Sequence, residues 1–119
     1  GRCGVKVVYL CHPLAGEIEQ NRRNAARWVA WATLHMGVAI VADWITLTGE
    51  LSEEHRELGL ACDLALVERC DECWLVGGRT SPGMALEAQH ARDQGVLVRD
   101  LTHLGFACPT GPTELPEAA

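Results

Sequence analysis

The chain has no apolar run of eighteen or more residues, so no membrane-spanning helix is expected, and no long apolar segment near the start reads as a secretory signal. Basic side chains are scarce, ten Lys and Arg against sixteen Asp and Glu, and the resulting net charge of -6 argues against a nucleic-acid polymer as the main partner. There is one tyrosine, so any role for a phenolic hydroxyl falls on Tyr9. Cys70 and Cys73 have C-x-x-C spacing, but the second pair that a zinc knuckle needs is missing. That pair also closes one expected helix and starts a strand, whereas a thioredoxin-like pair opens a helix. No metal and no cofactor are therefore expected. Internal repeats are absent, and 119 residues with 48% apolar content fit a single cytoplasmic domain.

What is present alternates between strand and helix signals. Val5 to Cys11 is a continuous β-branched and apolar run, the pattern of a strand covered on both faces. Glu19 to Met36 reads as a long helix ended by Gly37, followed by a short strand at Val38 to Val41. Ala42 to Ser52 reads as a loop carrying Asp43, Trp44 and Thr46. Glu53 to about Arg69 reads as a helix burying Leu58, Ala61, Cys62, Ala65 and Leu66. A third strand is expected at Cys73 to Val76, a helix from Ser81-Pro82 to Gly95, and a fourth strand at Val96 to Val98. Leu101 to Phe106 adds a final turn or strand.

Such alternation implies right-handed crossovers and an α/β fold, a flavodoxin- or Rossmann-like three-layer domain with a parallel sheet of four or five strands in the order 2-1-3-4(-5). Residues 1–108 form that domain, and Pro109, Pro112 and Pro116 mark 109–119 as a mobile tail. Ligands of open parallel sheets bind beyond the C-terminal strand ends at the switch point. Tyr9 to Gly16 and Gly77 to Glu87 would meet there. Ser81 with Pro82 is a helix start, and a carboxylate in the second turn, Glu87, is placed to face the crevice.

Three pieces, Tyr9-Leu-Cys-His-Pro-Leu-Ala-Gly16, Asp63 with Asp71, and Ser81-Pro-Gly-Met-Ala-Leu-Glu87 continuing to Ala91, resemble the nucleoside 2-deoxyribosyltransferase superfamily, including its deoxynucleoside 5′-monophosphate N-glycosidases and small phage and bacterial relatives. The resemblance covers most of residues 5–98. It implies Glu87 as nucleophile, Asp63 as the acid assisting the departing base and Tyr9 as the hydroxyl orienting Glu87. Substrate would be contacted by His12, Pro13, Gly16, Gly77, Arg79, Ser81, Gly83 and Met84. Serine six positions before the nucleophile matches the monophosphate hydrolases, where the transferases carry aspartate. Pro13 and Ala15 depart from the phosphate-binding side chains of the hydrolases' first loop, with His12 and Arg79 as possible replacements. Asp71, preceding the third strand, should lie at the opposite pole and be structural.

The residue types agree with that chemistry on their own. Cleaving an N-glycosidic bond passes through an oxocarbenium-like state that one carboxylate stabilises or captures, while a second, protonated carboxyl helps the base leave. The expected function is thus N-glycosidic cleavage or base exchange on a nucleotide or nucleoside. The alternative is a non-catalytic nucleotide-binding or sensing module on the same fold. Residues 25–36 carry two stripes: Ala25, Ala26, Val29, Ala32 and Met36 for the sheet, and Trp28, Trp31 and His35 beside them. The second stripe predicts a homodimer or higher homo-oligomer through helix 20–36.

Overall fold

The computed structural model describes residues 3–118. Four strands form one sheet: β1 (Val7–Cys11), β2 (Ala39–Val41), β3 (Glu72–Leu75) and β4 (Leu97–Asp100), in the order β2-β1-β3-β4. All three pairings are parallel, with Tyr9 opposite Val41 on one side and Cys73 on the other. Between them run α1 (Ile18–Trp31), α2 (Trp44–Glu50), α3 (Arg56–Glu68) and α4 (Pro82–Asp93). This is the α/β architecture and strand order expected. The residues after β4 make a 3₁₀ turn at Thr102–Leu104 rather than a strand. Among the described residues no helix is long and apolar enough to cross a membrane.

The apolar continuity of β1 follows from its position. Val8 and Leu10 point to one face and join Trp28, Trp31, Trp74, Val76 and Leu101 under α1. Tyr9 and Cys11 point to the other and join Val67, Cys73, Leu75, Met84, Ala88 and Ala91 under α3 and α4. The period of two thus sends the single tyrosine into the layer that also holds Glu87.

The structure corrects the expectations for α1, α2 and α3. Trp28 and Trp31 are 0% and 3% exposed, so the tryptophans that argued for an oligomer through helix 20–36 are buried together with Ala25 and Ala32, and it is Ala26 and His35 that are exposed. The cover comes from the C-terminal segment: the Trp28 indole donates to Phe106 O and that of Trp31 to Gly111 O, both at 2.8 Å. Contacts of this kind extend into the segment 109–119. Its prolines keep it free of helix and strand, yet Leu115 packs on the tryptophan layer and Pro116 O accepts from Arg99 at 2.6 Å. Residues 1, 2 and 119 of the expected domain and tail lie outside the described residues.

The Ala42–Ser52 loop contains α2. Its β-branched residues and Gly49 are poor helix formers, and tertiary bonds hold it: Trp44 Nε1 to Leu10 O at 2.8 Å and Arg22 Nε to Ile45 O at 2.8 Å. On α3 the expected face is turned outward. Leu58 is 63% exposed and Ala61, Cys62 and Ala65 are exposed, while Gly59, Asp63 and Val67, four residues apart, face inward. A polar residue, Asp63, therefore sits on the buried stripe.

Candidate active site

The C-terminal ends of β1, β2 and β3 open into a crevice of about 770 Å³, within the usual size of small-molecule sites. Its walls are Trp44 and Leu47 of α2, Gly59, Leu60 and Asp63 of α3, the α4 start from Ser81 to Met84, and Glu87. His12 and Leu14 contribute from the first loop. Glu87 reaches the floor because α4 starts where expected: Ser81 caps it, its Oγ accepting from Met84 N at 3.3 Å, with Pro82 next. One and a half turns later Glu87 faces β1, where Tyr9 Oη donates to Glu87 Oε2 at 2.7 Å.

The three residues expected to do the chemistry are thus brought together. Tyr9 is buried beneath Glu87, and burial together with the Glu87 and Asp63 charges holds its hydroxyl far above its ordinary range. It is a permanent donor. Burial raises the Glu87 pKa, opposed by hydrogen bonds from Tyr9 and the Cys11 thiol. Asp63 is pushed up to about 7, first by burial and then by the charges of Asp43 and Glu87. Of the two, Glu87 has the donors that favour a carboxylate, and Asp63 has the surroundings of a carboxylic acid.

Other expected contacts are placed differently. His12 Nδ1 lies 2.6 Å from Pro13 O, so it carries the proton, and Nε2 then accepts from Asn24 Nδ2 at 2.9 Å. Burial also lowers its pKa. His12 is therefore a neutral, fully bonded wall of the crevice, stacked on Trp44, and not a cation for phosphate. Gly77 supports it: at φ +98 a Cβ there would come within 2.7 Å of the imidazole. Pro13 is buried, Gly16 is exposed in the loop, and Arg79 donates to Ala15 O at 3.3 Å. None of Pro13, Gly16, Gly77 and Arg79 lines the crevice, whereas Ser81, Gly83 and Met84 do. Met84 is mostly core, 1% exposed.

Sequence reasoning missed Asp43, Trp44 and Cys11. All three were within reach of two rules. Asp43 and Trp44 directly follow β2, whose end borders the switch point, and Cys11 lies two residues after Tyr9 on the same sheet face. Cys73, weighed as a partner of Cys70, instead has its Sγ 3.5 Å from Cys11 Sγ, and Cys70 bonds to Leu66 O. Among the described residues no group of three or more His, Cys, Asp or Glu is arranged to hold a metal ion. Asp71 lies at the opposite pole, where its Oδ2 accepts from Val7 N at 2.8 Å.

The class defined here is a parallel α/β domain with facing carboxyl groups in a switch-point crevice. The chain belongs to the family described as Domain of unknown function (DUF7768), whose model matches residues 6–101. No curated protein matches the chain. Among solved structures it is similar to a 2-deoxyribosyltransferase from the psychrotolerant bacterium Bacillus psychrosaccharolyticus, with 18% identity and a TM-score of 0.62. The match covers 79% of this chain and 70% of that one. The likeness at that identity is one of fold.

Proposed function

We propose that the protein cleaves the N-glycosidic bond of a nucleoside or closely related compound, releasing the base or passing the sugar to another. The observation that carries this reading is the Tyr9–Glu87 hydrogen bond beside Asp63 in one crevice. In the first half-reaction a Glu87 oxygen bonds to the anomeric carbon as the carbon–nitrogen bond breaks, and the Asp63 proton goes to the departing base. In the second, water or a second base attacks that carbon and returns a proton to Asp63, and the sugar leaves Glu87. Tyr9 fixes the Glu87 rotamer throughout. The neighbouring fold of a 2-deoxyribosyltransferase agrees with this class of substrate.

The charge of the crevice favours an uncharged nucleoside over its 5′-monophosphate. Glu87 and Glu53 line it together with Arg56, which is paired with Glu53 at 3.0 Å, and Arg79 is turned to a backbone carbonyl. Ser81 offers a hydroxyl at a helix start but no cation. The test is incubation with nucleosides, deoxynucleosides and their 5′-monophosphates, with free base followed by chromatography. Release is expected from at least one unphosphorylated member, falling by about 10³-fold or more in Glu87→Ala. Release unchanged in that variant, or release from no member, would overturn the reading.

A second reading, a nucleoside- or nucleotide-binding module without turnover, is favoured by one observation: the first loop's His12 is locked in internal bonds. Calorimetric binding of a ligand recovered intact after long incubation would select it.

A further inference from the structure

The reaction above leaves one carboxyl near the crevice floor without a task. Asp43 stands at the start of α2, where an aspartate usually caps the helix, yet its side chain makes no capping hydrogen bond. Its Oδ1 is buried without a hydrogen-bond partner, and among the described residues the other buried side-chain oxygen in that condition is Asp63 Oδ1. Buried polar atoms are ordinarily satisfied, so two orphaned acceptors in one cluster require an explanation. The sheet supplies the placement. Val41, the last residue of β2, pairs with Tyr9, so Asp43 leaves the sheet just past the end of β2, beside the strand that carries Tyr9. A hydrogen bond between the Asp43 and Asp63 side chains is one of the influences on Asp63.

Two ionised carboxylates have no hydrogen to give each other. One proton between them turns one group into a donor and removes the repulsion. We propose that Asp43 is the positioning residue that holds a shared proton on Asp63, keeping Asp63 in the acid form that the departing base needs. Asp43 itself does not line the crevice and acts through Asp63. The groups facing Asp63 are consistent with this. Tyr9 from β1 donates to Glu87 at 2.7 Å, and its hydroxyl is the one opposing influence, lowering Asp63. Glu87 from α4 and Asp43 from the start of α2 are both acidic. Arg56, which lines the crevice, is at the exposed rim and paired with Glu53, with His55 beside it bonded to Ser52. No cation is among the described influences on Asp63, and burial with the two acidic neighbours carries it up to about 7.

The inference rests on the proposed reaction for its purpose but is tested without it. The full chain, labelled with ¹³C at aspartate side-chain carboxyls, is titrated by NMR in wild type and Asp43→Asn. Wild-type Asp63 should remain protonated at pH 6. In Asp43→Asn the amide donates to ionised Asp63, and the midpoint should fall by about one pH unit or more. The high-pH limb of base release should move with it, costing about tenfold in kcat/KM at pH 7 for each unit. A midpoint unchanged in Asp43→Asn, or in Asp43→Ala should the first variant not fold, overturns the proposal. So does wild-type Asp63 ionising near pH 4. A midpoint that shifts in a protein releasing no base from any substrate would instead retire the proposed reaction and leave the carboxyl pair standing.

Discussion

Two buried carboxyl clusters stand at opposite ends of the same sheet, and their surroundings are opposite. At the N-terminal edge Glu72, 2% exposed, accepts from Arg99 Nε at 2.6 Å, Lys6 Nζ at 2.9 Å and Trp74 Nε1 at 3.0 Å. Burial alone would raise its pKa, but these bonds outweigh it and bring the carboxyl down to about 2. At the C-terminal edge Glu87, Asp63 and Asp43 are held by Tyr9, Cys11 and one another, with no cation among them, and Asp63 goes up to about 7. The first cluster is a carboxylate made permanent, which ties β3 to β4 and, through Arg99 and Pro116, to the C-terminal segment. The second keeps acid and base forms close in energy, which proton transfer requires. Burial is common to both, and the presence of Arg and Lys decides which outcome follows.

The comparison is broken most severely at Glu72. Glu72→Ala leaves Arg99, 18% exposed, without its partner, and loss of one member of a buried pair costs about 3–5 kcal/mol. Chemical denaturation should report that loss at neutral pH. A loss under about 1 kcal/mol, the range of surface pairs, would mean that the cluster is not the structural anchor described.

Tyr9→Phe should have a smaller effect, on chemistry and not on folding. It removes one hydrogen bond to a charged acceptor, worth about 1.5–3 kcal/mol, or roughly 10- to 100-fold in kcat/KM. That bond lowers the Glu87 pKa, so without it the low-pH limb of activity should move to higher pH. A variant with an unmoved limb would separate Tyr9 from Glu87.

The mildest test sets the two clusters against each other through stability and pH. Glu72 is depressed from 4.5 to about 2 on folding, so its stabilisation is present above pH 4.5 and is lost as pH falls toward 2. Asp63 is raised from 3.8 to about 7, so its contribution is present below pH 3.8 and is lost as pH rises through 7. Denaturation midpoints across pH 3–8 should therefore flatten at the acid end in Glu72→Gln and at the neutral end in Asp63→Asn. The same slope in wild type and Asp63→Asn between pH 4 and 7 would show that Asp63 is not raised.

Much of this was legible in order along the chain. Val5 to Cys11 specified a doubly covered strand, Ser81-Pro82 a helix start, and the alternation a parallel sheet in the observed order. Those signals are local: β-branched runs, caps and turns fix short-range geometry, and handedness leaves few ways to assemble it. The meeting of Tyr9 with Glu87 also followed, because strand period and helix start together aim both at the switch point.

What the sequence did not determine was which face of each helix turns inward when both are apolar enough. On α1 the two tryptophans face in because residues 106–116 return to cover them and accept their indole hydrogens. On α3 the apolar Leu58 and Ala61 yield the inner face to Asp63, because Asp63 meets Asp43 and Tyr9 there. Residues far apart in the chain decide both choices. Hydrophobic periodicity ranks faces by burial alone, whereas the folded protein also places hydrogen-bonding groups and charges, and only the assembled tertiary structure brings their partners within reach.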